Sequence, residues 1–93
     1  MRVTYDADKR ATILIERGLD MRHAGKIFIG CHLTLPDERR DYRECRYITL
    51  GLLDERLVVA VWTLRGNSRR IISFRKANER EQKRYWEQVG RPG

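Results

Sequence analysis

The amino-acid sequence predicts an α+β domain with two N-terminal helices, a mainly antiparallel sheet of three or more strands, and a C-terminal helix. Three observations predict it. Apolar residues recur at helical spacing as far as Phe28. Between His32 and Lys76 the pattern changes to alternation and β-branched runs. At Asn78 a helix-opening signature appears and helical spacing returns.

Each element follows in order. Residues 2–5 read as a short edge strand, and Asp6 offers a side-chain oxygen to the free N–H groups of a following helix. Ala7, Ala11, Leu14 and Ile15 fall on one face of that helix, and Gly18 stops it as a left-handed cap residue. Asp20 opens the second helix, whose apolar positions are Met21, Ala24, Ile27 and Phe28 and which ends at Gly30. His32 to Leu35 alternates as a strand closed by Pro36. Residues 37–44 are polar and balanced in sign, and read as a solvated loop. Residues 46–53 form a strand with Ile48, Leu50 and Leu52 on one side and Tyr47 and Thr49 on the other. Asp54 and Glu55 mark a turn. The nearly continuous apolar run 57–64, β-branched and aromatic, predicts a central strand covered on both faces. A loop at 65–68 leads to a last strand, 69–76, so the three strands make an antiparallel meander. Asn78 with Glu81 three residues later is a capping-box pair, Gln82, Tyr85, Trp86 and Val89 form the inward stripe, and Gly90 and Pro92 end the helix.

A chain of 93 residues predicts one domain, 1–93, large enough for one core. Its two cysteines, Cys31 and Cys45, are too few for a disulfide scaffold and lack zinc-ligand spacing. No apolar run approaches the roughly 20 residues of a membrane-spanning helix, and the N-terminus lacks the apolar region of a secretory signal. A soluble protein of a reducing compartment is the expectation.

Charge is the feature that points to function. The net charge is +7, of which residues 65–93 carry +6 and residues 1–64 carry +1. The stretch 65–76 holds five cations, Arg65, Arg69, Arg70, Arg75 and Lys76, and no acid. Such asymmetry predicts a surface that faces a polyanion. Alternation along the last strand puts Arg70, Ile72, Phe74 and Lys76 on one side and Arg69, Ile71, Ser73 and Arg75 on the other. Taking Ile72 and Phe74 as the core side leaves Ser73 and Arg75 outward, within reach of Arg65. Guanidinium groups suit phosphate because they match two oxygens at once and stay protonated.

Metal-free RNA cleavage needs a base for the 2′-hydroxyl, an acid for the leaving 5′-oxygen and cations for the phosphorane. The candidate bases and acids are His32, Glu44, Lys76 and Tyr85, with His23 reading as a surface residue of its helix. Tyr85 and Trp86 are candidates for base stacking, or for packing the last helix on the sheet. No acid cluster suited to a divalent metal, no P-loop and no dinucleotide fingerprint occurs, so neither a metal nor a cofactor is expected.

Several stretches resemble a known family. Tyr5-Asp6-Ala7-Asp8-Lys9, Arg17-Gly18-Leu19, and Ala24 with Phe28 resemble the opening of the BrnT toxins. Arg43-Glu44-Cys45-Arg46-Tyr47-Ile48-Thr49-Leu50-Gly51 resembles that family's Glu-x-Arg-aromatic strand ending in Gly. Thr63-Leu64-Arg65-Gly66 and Arg70-Ile71-Ile72-Ser73-Phe74-Arg75-Lys76-Ala77, followed by Glu81 and Tyr85, resemble its most distinctive stretch. The resemblance implies a RelE-like ribonuclease fold and the toxin role in a bacterial, cytoplasmic type II toxin–antitoxin pair. It further implies a BrnA-like antitoxin, a small ribbon-helix-helix protein that covers the toxin and brings operator DNA binding to the complex. The departures are Leu64, where the family commonly has an acid, Phe74 for Ala, and Asn78 for Thr. If that acid serves as a base or orients Arg65, Leu64 leaves this chain weakened or inactive as a nuclease, which favours a non-catalytic reading.

Two functional readings follow. In the first the chain is a metal-independent endoribonuclease toxin. Arg65 and Arg75 stabilise the reacting phosphate, Arg70, Lys76 and Ser73 bind RNA, and Glu44 or Tyr85 transfers protons. In the second it is a non-catalytic toxin-like subunit that binds antitoxin or nucleic acid for autoregulation.

Overall fold

The computed structural model describes residues 1–39 and 43–90. The order is β1 (Arg2–Tyr5), α1 (Ala7–Arg17), a 3-10 helix (Met21–Phe28), β2 (His32–Pro36), β3 (Arg46–Leu53), β4 (Arg56–Arg65), β5 (Ser68–Lys76) and α2 (Glu79–Val89). The strands make one five-stranded mixed sheet in the order β1-β5-β4-β3-β2, with β1 parallel to β5 and every other neighbour antiparallel.

This corrects the predicted fold class of two N-terminal helices followed by a mainly antiparallel, RelE-like sheet. The expected edge strand at residues 2–5 forms and joins the sheet beside β5, but only one α-helix precedes the meander. The second predicted helix is a 3-10 helix, for a reason visible in its side chains. Met21, Ala24 and Ile27 are its buried residues, and they are spaced by three, the repeat of a 3-10 turn. Asp20 caps it through the Arg22 N–H, and Gly25 lets it approach β1, where an added Cβ would lie 3.3 Å from Val3 Cγ2. Gly51 does the same on β3: a Cβ there would sit 2.9 Å from that of Ile27.

α1 has the predicted caps, with Asp6 accepting from the Lys9 N–H and Gly18 at φ 68°. Its inward face differs from the predicted one. Ile13 is its buried residue, whereas Leu14 and Ile15 are exposed. Two arginines on the inward side set the helix's roll. Arg10 donates to both Asp20 oxygens at 2.8 and 3.0 Å, and Arg17 donates to the Phe74 carbonyl at 3.0 Å. Asp20 also accepts from Arg22, and the paired guanidinium of Arg10, then that of Arg22, holds its carboxyl far below the usual carboxylate range.

The sheet has two faces. On one, α1 and the 3-10 helix cover Val58, Ala60, Trp62, Ile71 and Phe74. On the other, α2 packs over β2 and β3, and Leu50, Val59, Ala77 and Tyr85 form a second, smaller core. β4 is therefore the central strand covered on both faces that its apolar run predicts. Asp54 and Glu55, both at positive φ, close the β3–β4 turn. β5 departs from simple alternation. Its register against β4 slips between Val61 and Trp62, leaving Ile72 without a partner of its own. Ile71 and Phe74 thus both face the α1 side, which corrects the predicted pairing of Ile72 with Phe74. Residues 40–42 of the predicted loop, and Pro92, lie outside the described residues.

Candidate nucleic-acid interface

The bulge fixes which cations share a face. Opposite α1, the register aligns Arg46 of β3 with Thr63 of β4 and Arg70 of β5. Arg65 lies two residues beyond Thr63, so it belongs to the same face. Farther down that face come Ser73, opposite Val61, and Arg75, opposite Val59. α2 packs over β2 and β3 on this face, and its Tyr85 shares a core with Val59 of β4.

Glu44 meets this row from the turn before β3. One carboxylate oxygen lies 3.3 Å from an Arg65 terminal nitrogen, and the other lies 3.7 Å from Arg46 Nε. Glu44 and Arg65 are 32 % and 61 % exposed, open enough to meet a ligand. Thr63 is buried in the same row and donates its hydroxyl to the Cys45 carbonyl at 2.6 Å.

Arg75 is engaged differently. It donates to both oxygens of Glu81 at 2.7 and 2.8 Å. Glu81 also closes the capping box of α2, accepting from the Asn78 N–H while Asn78 accepts from its own. The hydrogen bonds from Arg75 pull the Glu81 carboxyl below its ordinary range and, reciprocally, those to Glu81 raise Arg75. Arg75 therefore ties β5 to the start of α2 as well as adding charge to the face.

Ser73 stays in register with this face, while the remaining predicted residues separate. Ser73 Oγ accepts from Arg17 at 3.4 Å, at the outer edge of β5. Lys76 is exposed and stands opposite Val58, so its register belongs to the α1 face. Tyr85 is 1 % exposed and donates its hydroxyl to the Cys31 carbonyl at 2.8 Å, and burial raises its pKa. That corrects its candidacy for proton transfer: the hydroxyl is engaged in the core, and the ring packs there with Trp86 stacked on it at 4.9 Å. His32 opens β2 opposite Gly51, with Nδ1 2.8 Å from the Gly30 carbonyl, and shares neither face nor contact with Glu44. His23 lines a 410 Å³ cavity with Leu14, Leu19, Asp20, Leu53 and Arg56, on the α1 side.

Leu64 points away from Arg65. Its partner in register is Arg69, whose guanidinium lies 3.9 Å from the Phe28 ring centroid on the α1 face. An acid at this position would face Arg69 and not the Glu44–Arg65 pair, so Leu64 itself leaves that pair untouched.

Arg17 and Thr63 are members of the arrangement that sequence reasoning passed over, and Arg46 was legible only as a partner for Glu44. For Arg46 the signal was present, because alternation along β3 aligns it with Ile48 and Leu50. Among the described residues, no group of three or more His, Cys, Asp or Glu is placed to hold a metal ion.

A family model of the ribonuclease toxin BrnT of type II toxin–antitoxin systems matches residues 5–81. The chain belongs to the BrnT family. A search of curated proteins returned no match. The BrnT match includes Glu44, Arg65, Arg70, Arg75 and Glu81, the residues that build the open face and its link to α2. A BrnT toxin is a ribonuclease, which makes RNA its substrate and an antitoxin its partner. Among the described residues, no helix is long and apolar enough to cross a membrane.

Proposed function

We propose that this chain cleaves RNA without a metal, on the sheet face that carries Glu44, Arg46, Arg65 and Arg70. The observation that carries this reading is the Glu44–Arg65 ion pair, a partly exposed carboxylate beside a guanidinium in a row of cations. Glu44 takes the proton from a 2′-hydroxyl as that oxygen bonds to phosphorus. Arg65, with Arg46 and Arg70 beside it, stabilises the extra negative charge of the phosphorane. The P–O5′ bond then breaks, and the leaving oxygen takes its proton from water. The products are a 2′,3′-cyclic phosphate and a 5′-hydroxyl. Ser73 and Arg75, farther along β5, hold the adjoining phosphates. Transcripts are cytoplasmic, and so is the chain in this reading.

Cleavage is expected to survive EDTA. Loss of cleavage in chelator with recovery on adding magnesium would overturn the mechanism. No cleavage of any RNA, free or on ribosomes, would make the chain the non-catalytic binding subunit instead.

The antitoxin in this proposal is BrnA-like, a ribbon-helix-helix protein that places acidic or apolar side chains on the cationic face. Opposite charge speeds such association. Operator DNA then binds the complex through the antitoxin's ribbon. Saturating antitoxin is expected to block RNA binding and to protect Arg65 and Arg70 from arginine-directed modification. If both arginines stay as reactive as in the free toxin, inhibition does not work by covering this face.

A further inference from the structure

We propose that Thr63 is a positioning residue for Glu44, an inference that rests on the reading of Glu44 as the base. Thr63 sits in the middle of the cationic row, between Arg46 and Arg70 in register, and is 1 % exposed. A hydroxyl buried within a strand needs a partner. Thr63 finds it outside the strand ladder, in the carbonyl of Cys45, at 2.6 Å.

Cys45 directly follows Glu44. One residue on, the Arg46 carbonyl accepts the Asp37 N–H at 2.8 Å, which closes the base of the loop that carries Glu44. The turn before β3 is therefore tied to the sheet at two successive carbonyls. The Thr63 tie is the nearer one to Glu44. It sets where the carboxylate stands relative to Arg65 and Arg46, which it meets at 3.3 and 3.7 Å.

The geometry separates this role from ordinary strand stability. Cys45 is exposed, so water can take the place of the lost donor and the fold loses little. Valine keeps the shape of threonine and suits a central strand. What valine cannot keep is the fixed position of the turn. A base displaced by about 1 Å costs on the order of 100-fold in rate, because proton transfer needs hydrogen-bond reach. Binding of RNA phosphates by Arg65, Arg46 and Arg70 does not depend on the Cys45 carbonyl.

A double-mutant cycle on the full chain, with steady-state cleavage of an oligoribonucleotide, tests this. Thr63→Val is expected to lower kcat by about 10- to 100-fold with KM within about 2-fold, and Thr63→Ser to restore most of the rate. In the Glu44→Gln background, Thr63→Val is expected to add less than about 2-fold, since no base remains to position. If the Val variant fails to fold, Thr63→Ala serves in the same cycle. Multiplicative effects of the two substitutions, or unchanged kcat for Thr63→Val beside a slow Glu44→Gln, would overturn the assignment of Thr63 alone. Full activity of Glu44→Gln would overturn the reading of Glu44, and this proposal with it.

Discussion

Glu44→Gln is expected to slow RNA cleavage by about 100- to 10,000-fold, the range for removing a general base. The amide keeps the size and planarity of the side chain but takes no proton. Stability is expected to change little. Glu44 is 32 % exposed, and its ion pairs with Arg65 and Arg46, at 3.3 and 3.7 Å, are long. Partly exposed pairs of this kind are worth at most about 1 kcal/mol. Single-turnover cleavage and a thermal melt of the same preparation check both statements. Wild-type cleavage by the variant would remove Glu44 from the chemistry. A melting temperature lower by about 10 °C or more would make it a structural residue.

The second large effect separates two arginines of the same face. Arg65→Ala is expected to lower cleavage by about 30- to 1000-fold, which corresponds to roughly 2–4 kcal/mol of lost transition-state stabilisation. The fold is expected to stand, because Arg65 is 61 % exposed and its ion pair is with Glu44. Arg75→Ala is expected to lower cleavage as well, but also to destabilise. It leaves Glu81 without its bidentate partner at the first turn of α2, where Glu81 also closes the capping box. With Arg75 one third exposed, that loss is about 1–2 kcal/mol, or roughly 5–15 °C in melting temperature for a chain this size. Glu81→Gln discriminates further. It weakens the link to α2 but leaves the Arg75 cation on the face, so it is expected to melt lower while retaining cleavage. Equal melting temperatures for the wild type and Arg75→Ala would contradict the tie between β5 and α2.

What the sequence revealed was local. Asp6, Gly18, Asn78 and Glu81 announce helix ends because each cap is satisfied within three or four residues. The 57–64 run announces a buried central strand because Thr63 alone interrupts its apolarity. The features that went unread depend on distant partners or on a departure from the standard period. Met21, Ala24 and Ile27 suit a repeat of 3.6 about as well as one of 3.0, and the tight packing of Gly25 and Gly51 decides between them. β1 joins β5 in parallel across more than sixty residues, and four residues carry no sign of that partner. The bulge at Ile72 reverses which isoleucine is buried, and a basic strand with adjacent isoleucines does not reveal the slip.

The site was legible to the same degree. The arginines stood out by charge, and Glu44 was named as a candidate base. Its contact with Arg65 joins residues twenty-one positions apart and could only be seen in the fold. Tyr85 was ambiguous in sequence because an inward helical stripe and a stacking aromatic share the same spacing. Its bond to the Cys31 carbonyl decides for packing. Arg75 and Glu81 lie six residues apart, a spacing that pairs neither along a strand nor along a helix. They meet because the chain turns from one element into the other between them.

The central claim is that Glu44 and Arg65 cleave RNA by attack of its own 2′-hydroxyl. The termini that wild-type protein leaves on a short oligoribonucleotide in EDTA, read by mass spectrometry, test this most directly. The account predicts a 2′,3′-cyclic phosphate on the upstream fragment and a 5′-hydroxyl on the downstream one, with no cleavage where a single 2′-deoxynucleotide replaces the target. A 3′-hydroxyl with a 5′-phosphate, or continued cleavage at the deoxy position, would contradict it.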